Sequence, residues 1–247
     1  MTILCTKQLG IVIGNRCFTR DLSITFLPGQ VWGLLGPNGS GKTTLLHTLA
    51  GLRNPNYGTV SLDEKDLKQL SSRKRAQNIG LLLQDFELPF TSTVLETALT
   101  GRYPHQYFLF KDTQTDIQAV EKALNNVGIA HLSKRDVQTL SGGEKQRLML
   151  ATVLAQDPNI YLLDEPLNHL DLQQRMRLLS LFKNIAVGQH KIVVMVLHDV
   201  HWIEIFCDHL IILGHQKNIF GSVREVLNTN FLNQLFVSDP IQELYKS

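Results

Sequence analysis

Eight consecutive residues, Gly36-Pro37-Asn38-Gly39-Ser40-Gly41-Lys42-Thr43, constrain the fold of this chain more than any other segment. They follow the apolar run Val31-Trp32-Gly33-Leu34-Leu35 and precede Leu45, Leu46, Leu49 and Leu52, which fall near helical spacing, with Gly51 placed to end the helix. A strand, a turn of the form G-x-x-x-x-G-K-[ST] and a helix, in that order, predict a phosphate cradle. The glycines let backbone N–H groups converge on phosphate oxygens without a Cβ in the way, at a helix N-terminus whose partial positive charge favours an anion. Lys42 adds a formal charge for the β- and γ-phosphates of a nucleotide, the Thr43 hydroxyl can ligate Mg²⁺, and Thr44 continues the cradle into the helix.

The rest of the chain supplies a sheet for that turn. Short strands are expected at Leu9-Gly10-Ile11-Val12-Ile13 and at Leu22-Ser23-Ile24-Thr25-Phe26, which ends at Leu27-Pro28-Gly29; they make an N-terminal antiparallel β region. Strand signals return at Asn159-Ile160-Tyr161-Leu162-Leu163, at residues 191–197 and at Leu210-Ile211-Ile212-Leu213. Between about residues 91 and 156 the spacing turns helical, as in Ile117-Val120-Ala123-Leu124-Val127. The expected fold is a single α/β domain. Its core, residues 1–90 and 158–247, is a mixed or parallel sheet with helices on both faces, and a helical subdomain at about 91–157 is inserted into it. A last helical region is expected over 223–236.

Composition removes other classes. In 247 residues, 24 Lys+Arg face 22 Asp+Glu, so the net charge of +2 offers no basic tail for nucleic acid, and 43% hydrophobic against 19% charged residues argue against disorder. The longest unbroken apolar run, 192–197, is six residues, far short of the ~18 that a membrane-spanning helix needs. No secretory leader is visible, and the scattered Cys5, Cys17 and Cys207 form no disulfide framework, so a reducing, cytoplasmic setting is expected. His198 and His201, spaced His-x-x-His, would share one helical face, but Cys207, His209 and His215 add no compact zinc spacing, so no zinc site is expected. Arg73-Lys74-Arg75 is expected on a solvated face.

Two further segments carry chemistry. The apolar run Ile160-Tyr161-Leu162-Leu163 ends in Asp164-Glu165-Pro166, and paired carboxylates at the end of a buried strand are costly unless a ligand needs them. Mg²⁺ with bound ATP supplies that need: Asp164 would hold the metal, and Glu165 would polarise the water that attacks the γ-phosphate. Leu140-Ser141-Gly142-Gly143-Glu144-Lys145-Gln146-Arg147 is a second anion cradle, with Ser141 as N-cap, Gly142 and Gly143 exposing backbone donors, and a helix starting near Glu144. One chain thus carries two phosphate-cradling helix termini.

With these segments in this order, the chain resembles the ATP-binding cassette ATPases over nearly its whole length. The Walker A loop at 36–43, a Q-loop glutamine at Gln84, the signature at 140–144, the Walker B segment ending at Asp164-Glu165, the D-loop Asn168-His169-Leu170-Asp171 and a switch histidine at His198 carry the likeness. The resemblance implies a head-to-tail homodimer in which Ser141, Gly142, Gly143 and Glu144 of one subunit close over the ATP held by the other. It also implies that Gln84 senses γ-phosphate, metal and attacking water, completing a metal set of Thr43, Gln84 and Asp164. By the same likeness His198 contacts the γ-phosphate beside Glu165, and Asp171 reaches across the dimer interface. One departure concerns the base: the family places an aromatic residue in the first strand region to stack on adenine, and Ile13 stands there, so aliphatic contact replaces stacking unless Phe18 supplies the ring. A second, Leu167 where Thr commonly follows Glu-Pro, has no obvious chemical consequence.

Thr93-Val94-Leu95-Glu96-Thr97 with Leu99-Thr100-Gly101-Arg102-Tyr103-Pro104-His105, then Leu170-Asp171-Leu172-Gln173-Gln174, and Glu225-Val226-Leu227 are similar to segments of importer ATPases for iron-siderophore, haem and cobalamin uptake. That likeness implies a peripheral ATPase on the cytoplasmic face of the inner cell membrane. Residues 84–105 would receive a helix of an integral-membrane permease, which works with an extracytoplasmic solute-binding protein. A soluble cassette ATPase of a non-transport assembly, such as an iron–sulfur scaffold, and an export ATPase stand as alternatives.

Overall fold

The computed structural model describes residues 2–14, 16–83, 91–106, 112–214 and 218–228. Gln84, the first part of the expected permease groove, His215 and the latter part of the last expected helix lie outside them. From the N-terminus, β1 (Leu4–Ile13), β2 (Arg16–Leu22) and β3 (Thr25–Phe26) precede β4 (Val31–Leu35), which leads through the phosphate loop into α1 (Lys42–Leu49). Then come β5 (Tyr57–Leu62), β6 (Lys65–Asp66), α2 (Ser72–Asn78) and β7 (Ile79–Leu82), and a helical stretch of α3 (Val94–Leu99), α4 (Gln114–Asn126) and α5 (Gly142–Gln156). β8 (Ile160–Leu163), α6 (Leu172–Gln189), β9 (Ile192–Val196), α7 (Val200–Phe206), β10 (His209–Leu213), β11 (Asn218–Ser222) and α8 (Val223–Leu227) follow.

The strands form two sheets. One is antiparallel, in the order β2-β1-β5-β6 with β3 also on β1. The other runs β11-β10-β4-β9-β8-β7, parallel throughout except for the antiparallel edge strand β11. Segment 22–26, expected as one strand, is divided. Asp21 takes a positive φ of 53°, and Ser23 Oγ accepts a hydrogen bond from Gln8 N at 2.9 Å, so β2 ends at Leu22 while Thr25 and Phe26 pair with the start of β1.

Alternation along the parallel strands splits them between two cores. Val31, Leu35, Tyr161, Leu163, Val193 and Met195 face a cluster shared with α3 to α7, whereas Trp32, Leu34, Ile160, Leu162, Ile192 and Val194 face one shared with α1 and the antiparallel sheet. Because β4, β8 and β9 are parallel neighbours, the residues that follow each of them emerge at one edge. That edge carries the phosphate loop after β4, Asp164-Glu165 after β8 and His198 after β9.

Candidate active site

The phosphate loop is shaped by its glycines. At Gly36 a Cβ would lie 2.6 Å from both Leu213 O and Ser40 Oγ. Gly41 is the N-cap of α1 with φ 95°, and a Cβ there would sit 2.6 Å from Phe18 Cδ1, so this ring flanks the start of the helix. Asn38 and Gly39 are exposed at the turn, Pro37 and Thr44 half-buried, and Ser40 buried. The Lys42 Nζ donates to Gly36 O at 2.8 Å and Pro37 O at 3.1 Å, curling over the loop. Burial lowers its pKa, against the pull of the Glu165 and Asp164 carboxylates.

The acidic pair shows two opposite environments. Asp164 is 2% exposed, and among the described residues neither carboxylate oxygen has a hydrogen-bond partner. Burial raises its pKa, as does the Glu165 charge, while the nearby Thr43 hydroxyl, His47 and Lys42 pull it down. A buried anion with two free oxygens beside a hydroxyl fits a hard divalent cation. Ser40 Oγ is likewise buried without a partner among the described residues.

Glu165 has every carboxylate oxygen occupied. His198 Nε2 lies 2.9 Å from Oε1, and Asn168 Nδ2 donates to Oε2 at 2.7 Å. Burial alone would raise its pKa, but the hydrogen bonds from Asn168 and His198, with the Lys42 charge, bring it below the usual carboxylate range. Its φ is 49° although it is not glycine and precedes Pro166. Such a conformation costs about 1–3 kcal/mol and persists where the surroundings over-determine it.

The second cradle is self-satisfied. Ser141 Oγ accepts from Glu144 N at 3.3 Å while Ser141 N donates to Glu144 Oε2 at 2.7 Å, a reciprocal cap at the start of α5. Hydrogen bonds from Ser141 hold the Glu144 carboxyl below its ordinary range. A Cβ at Gly142 or Gly143 would meet atoms of His169, not of the phosphate loop of the same chain. Asp171 is exposed and caps α6, its Oδ1 accepting from Gln174 N at 2.8 Å. Ile13 is 39% exposed at the end of β1.

The structure therefore gathers Lys42, Thr43, Asp164, Glu165 and His198 at one edge, and sets Ser141 to Glu144 apart with the loop at 168–171. Asn168, and Gln146, which donates to Glu165 O at 3.4 Å and Pro166 O at 3.3 Å, are neighbours of Glu165, a contact that their places in the D-loop and the second cradle do not announce. The basic cluster lies on a solvated face as expected, with Arg73 and Lys74 exposed and Arg75 half-buried; Arg73 Nε also donates to Pro104 O at 3.0 Å, and Arg75 Nη1 to Leu67 O at 3.1 Å.

A sequence profile of the family described as ABC transporter matches residues 19–168, from β2 through both cradles to the loop after the acidic pair. The chain belongs to the ABC transporter family. It is an ATPase of that family, its nucleotide-binding subunit. It is 35% identical over 240 residues to the iron(3+)-hydroxamate import ATP-binding protein FhuC of Bacillus subtilis (strain 168), covering 97% of this chain and 89% of that protein. It is also 35% identical over 242 residues to the ferric enterobactin transport ATP-binding protein FepC of Escherichia coli (strain K12), covering 95% and 89%. A solved inward-facing structure described as of the metal-chelate type of ABC transporter superposes with a TM-score of 0.83 at 30% identity, covering 96% of this chain and 90% of that one. Among the described residues of the ABC transporter ATPase, no helix is long and apolar enough to cross a membrane.

Proposed function

We propose that this chain powers the import of a metal chelate such as a ferric siderophore, as one of two identical ATPase subunits docked peripherally on the cytoplasmic face of a membrane permease. The observation that carries the chemistry is Glu165, an ionised carboxylate held by His198 and Asn168 beside Lys42 and the unpartnered Asp164. The nearly full-length likeness to FhuC and FepC supports the substrate class. The permease would work with an extracytoplasmic solute-binding protein.

In this reading the backbone N–H groups of residues 36–44 hold the ATP phosphates and Lys42 moves from the loop carbonyls to the β- and γ-phosphates. Glu165 accepts the proton of the attacking water, with His198 orienting the carboxylate and touching the γ-phosphate. Mg²⁺, held by Thr43, Asp164 and Gln84, would neutralise phosphate charge. Ser141, Gly142, Gly143 and Glu144 of the second subunit close the site from the far side, with Asp171 reaching across, so hydrolysis opens the dimer and works the permease. Ile13 covers the adenine by aliphatic contact, since Phe18 is engaged against Gly41. Residues 1–90 and 158–247 act as the catalytic core, and about 91–157 as the helical arm that carries the signature and, with residues 84–105, the permease groove.

Affinity purification of the tagged chain from detergent extracts of its native membranes tests the assignment. Recovery with a polytopic membrane protein, and loss of labelled ferric-siderophore uptake on deletion of the gene, are expected. Recovery in a wholly soluble complex with uptake intact would defeat it.

A further inference from the structure

Gln146 lies in the early turns of α5 and is not needed by the chemistry above, yet it is bound to the catalytic loop. Its Nε2 carries two hydrogens, enough for the bonds to Glu165 O at 3.4 Å and Pro166 O at 3.3 Å. Glu165 O also accepts from Asn168 N at 3.2 Å, and the Asn168 side chain binds the Glu165 carboxylate. Left-handed backbone is uncommon for a side chain such as glutamate, and a following proline restricts it further. The φ of 49° at Glu165 is therefore imposed by its contacts, and among them Gln146 is the one that comes from α5.

We propose that Gln146 is a positioning residue for Glu165, and that it couples the base in one nucleotide site to the signature end of α5, which serves the other. This rests on the proposed function, which supplies the base and the dimer. A second contact runs in parallel. The signature glycines pack on the same loop, where a Cβ at Gly143 would come within 2.7 Å of His169 O, and His169 has a positive φ of 60°. When the Ser141 end of α5 seats on the partner's nucleotide, its displacement reaches the loop at 165–169 both through the Gln146 amide and through His169. Each subunit thus links the triphosphate it caps to the base that acts on its own.

The test uses the purified full-length chain, with ATPase rate and Hill coefficient measured against ATP concentration, and binding measured with a fluorescent N-methylanthraniloyl ATP. Gln146→Leu removes both donors, and Gln146→Glu keeps the shape without them. Each is expected to lower kcat about tenfold while nucleotide affinity stays within about twofold. The Hill coefficient should fall toward unity, and Gln146→Leu combined with Asn168→Ala should cost less than the product of the single effects. A kcat within about twofold of wild type in both variants would overturn the proposal. So would a parallel loss of kcat, affinity and melting temperature, since that marks a merely structural side chain. Normal turnover in Glu165→Gln would instead bring down the proposed function, so the two failures are distinguishable.

Discussion

The two phosphate cradles are built from the same elements, glycines at a helix start, but they differ in how their polar groups are satisfied. Around the first, Ser40 Oγ and both Asp164 oxygens are buried without partners among the described residues, and Lys42 turns back on the carbonyls of its own loop. Around the second, Ser141 and Glu144 satisfy each other. Buried polar groups without partners are rare because each costs free energy, so the first cradle is shaped for a ligand it binds within its own chain. The second is a finished helix end, stable by itself, and in the proposed function its ligand arrives on another molecule.

The sharpest way to break this comparison is to remove the chemistry without touching the cradle. Glu165→Gln should retain nucleotide yet lower hydrolysis by about 10²-fold or more and trap a closed dimer, as loss of a general base predicts. Gel filtration with Mg-ATP and a phosphate-release assay read both effects, and a monomer with near-normal turnover would mean that neither cradle works as described.

Next in size is a substitution that should strengthen the ligand-free protein. Asp164→Asn removes an unpaired buried charge and should stabilise the nucleotide-free chain by about 1–2 kcal/mol near neutral pH while abolishing Mg²⁺-dependent hydrolysis. The sign with pH follows from the raised pKa of Asp164. The folded state holds that proton more tightly than the unfolded one, so wild-type stability falls as pH rises from the ordinary carboxylate value through the folded value. The advantage of the variant is therefore full above that window and vanishes below it. Glu165 has the opposite sign, because its pKa is lowered: its contribution is present above the ordinary value and is lost as pH falls through the folded one. Urea unfolding across acid to neutral pH measures the difference. Ser141→Ala makes the contrast at the other cradle: with no ligand present it should destabilise the chain by about 1 kcal/mol, the usual worth of an N-cap. If both substitutions shifted stability in the same direction, the distinction between a ligand-dependent and a self-satisfied cradle would fail.

Much of this was legible because the decisive segments are local. The loop at 36–43 announces its own turn, and the apolar runs that became β4, β8, β9 and β10 are long enough to stand out against their flanks. β7, of four residues, and β5, which carries Gly58 and leaves Tyr57 exposed, gave no comparable signal, because their place is set by pairing with β8 and β1. Asn168 and Gln146 escaped as site residues for a related reason. Their hydrogen bonds to Glu165 depend on a backbone bend with positive φ and on α5 bringing Gln146 to the loop after β8, neither of which has a periodicity to read.

The smallest expected effect concerns the base rather than the phosphates. Ile13 ends β1 partly exposed, while the Phe18 ring lies against Gly41, where its packing would resist a Cβ at 2.6 Å. An aliphatic surface gives area but no ring stacking, which is worth roughly 0.5–1.5 kcal/mol between aromatic groups. Ile13→Tyr should accordingly tighten ATP binding about threefold, with the rate at saturating ATP unchanged, because adenine contacts are made equally in the ground and transition states. Because adenine and guanine both have faces on which to stack, GTP should gain in the same proportion. If ATP alone gained, Ile13 would lie at an edge that reads the base and not over its face, and the substitution would report on selectivity instead of on stacking.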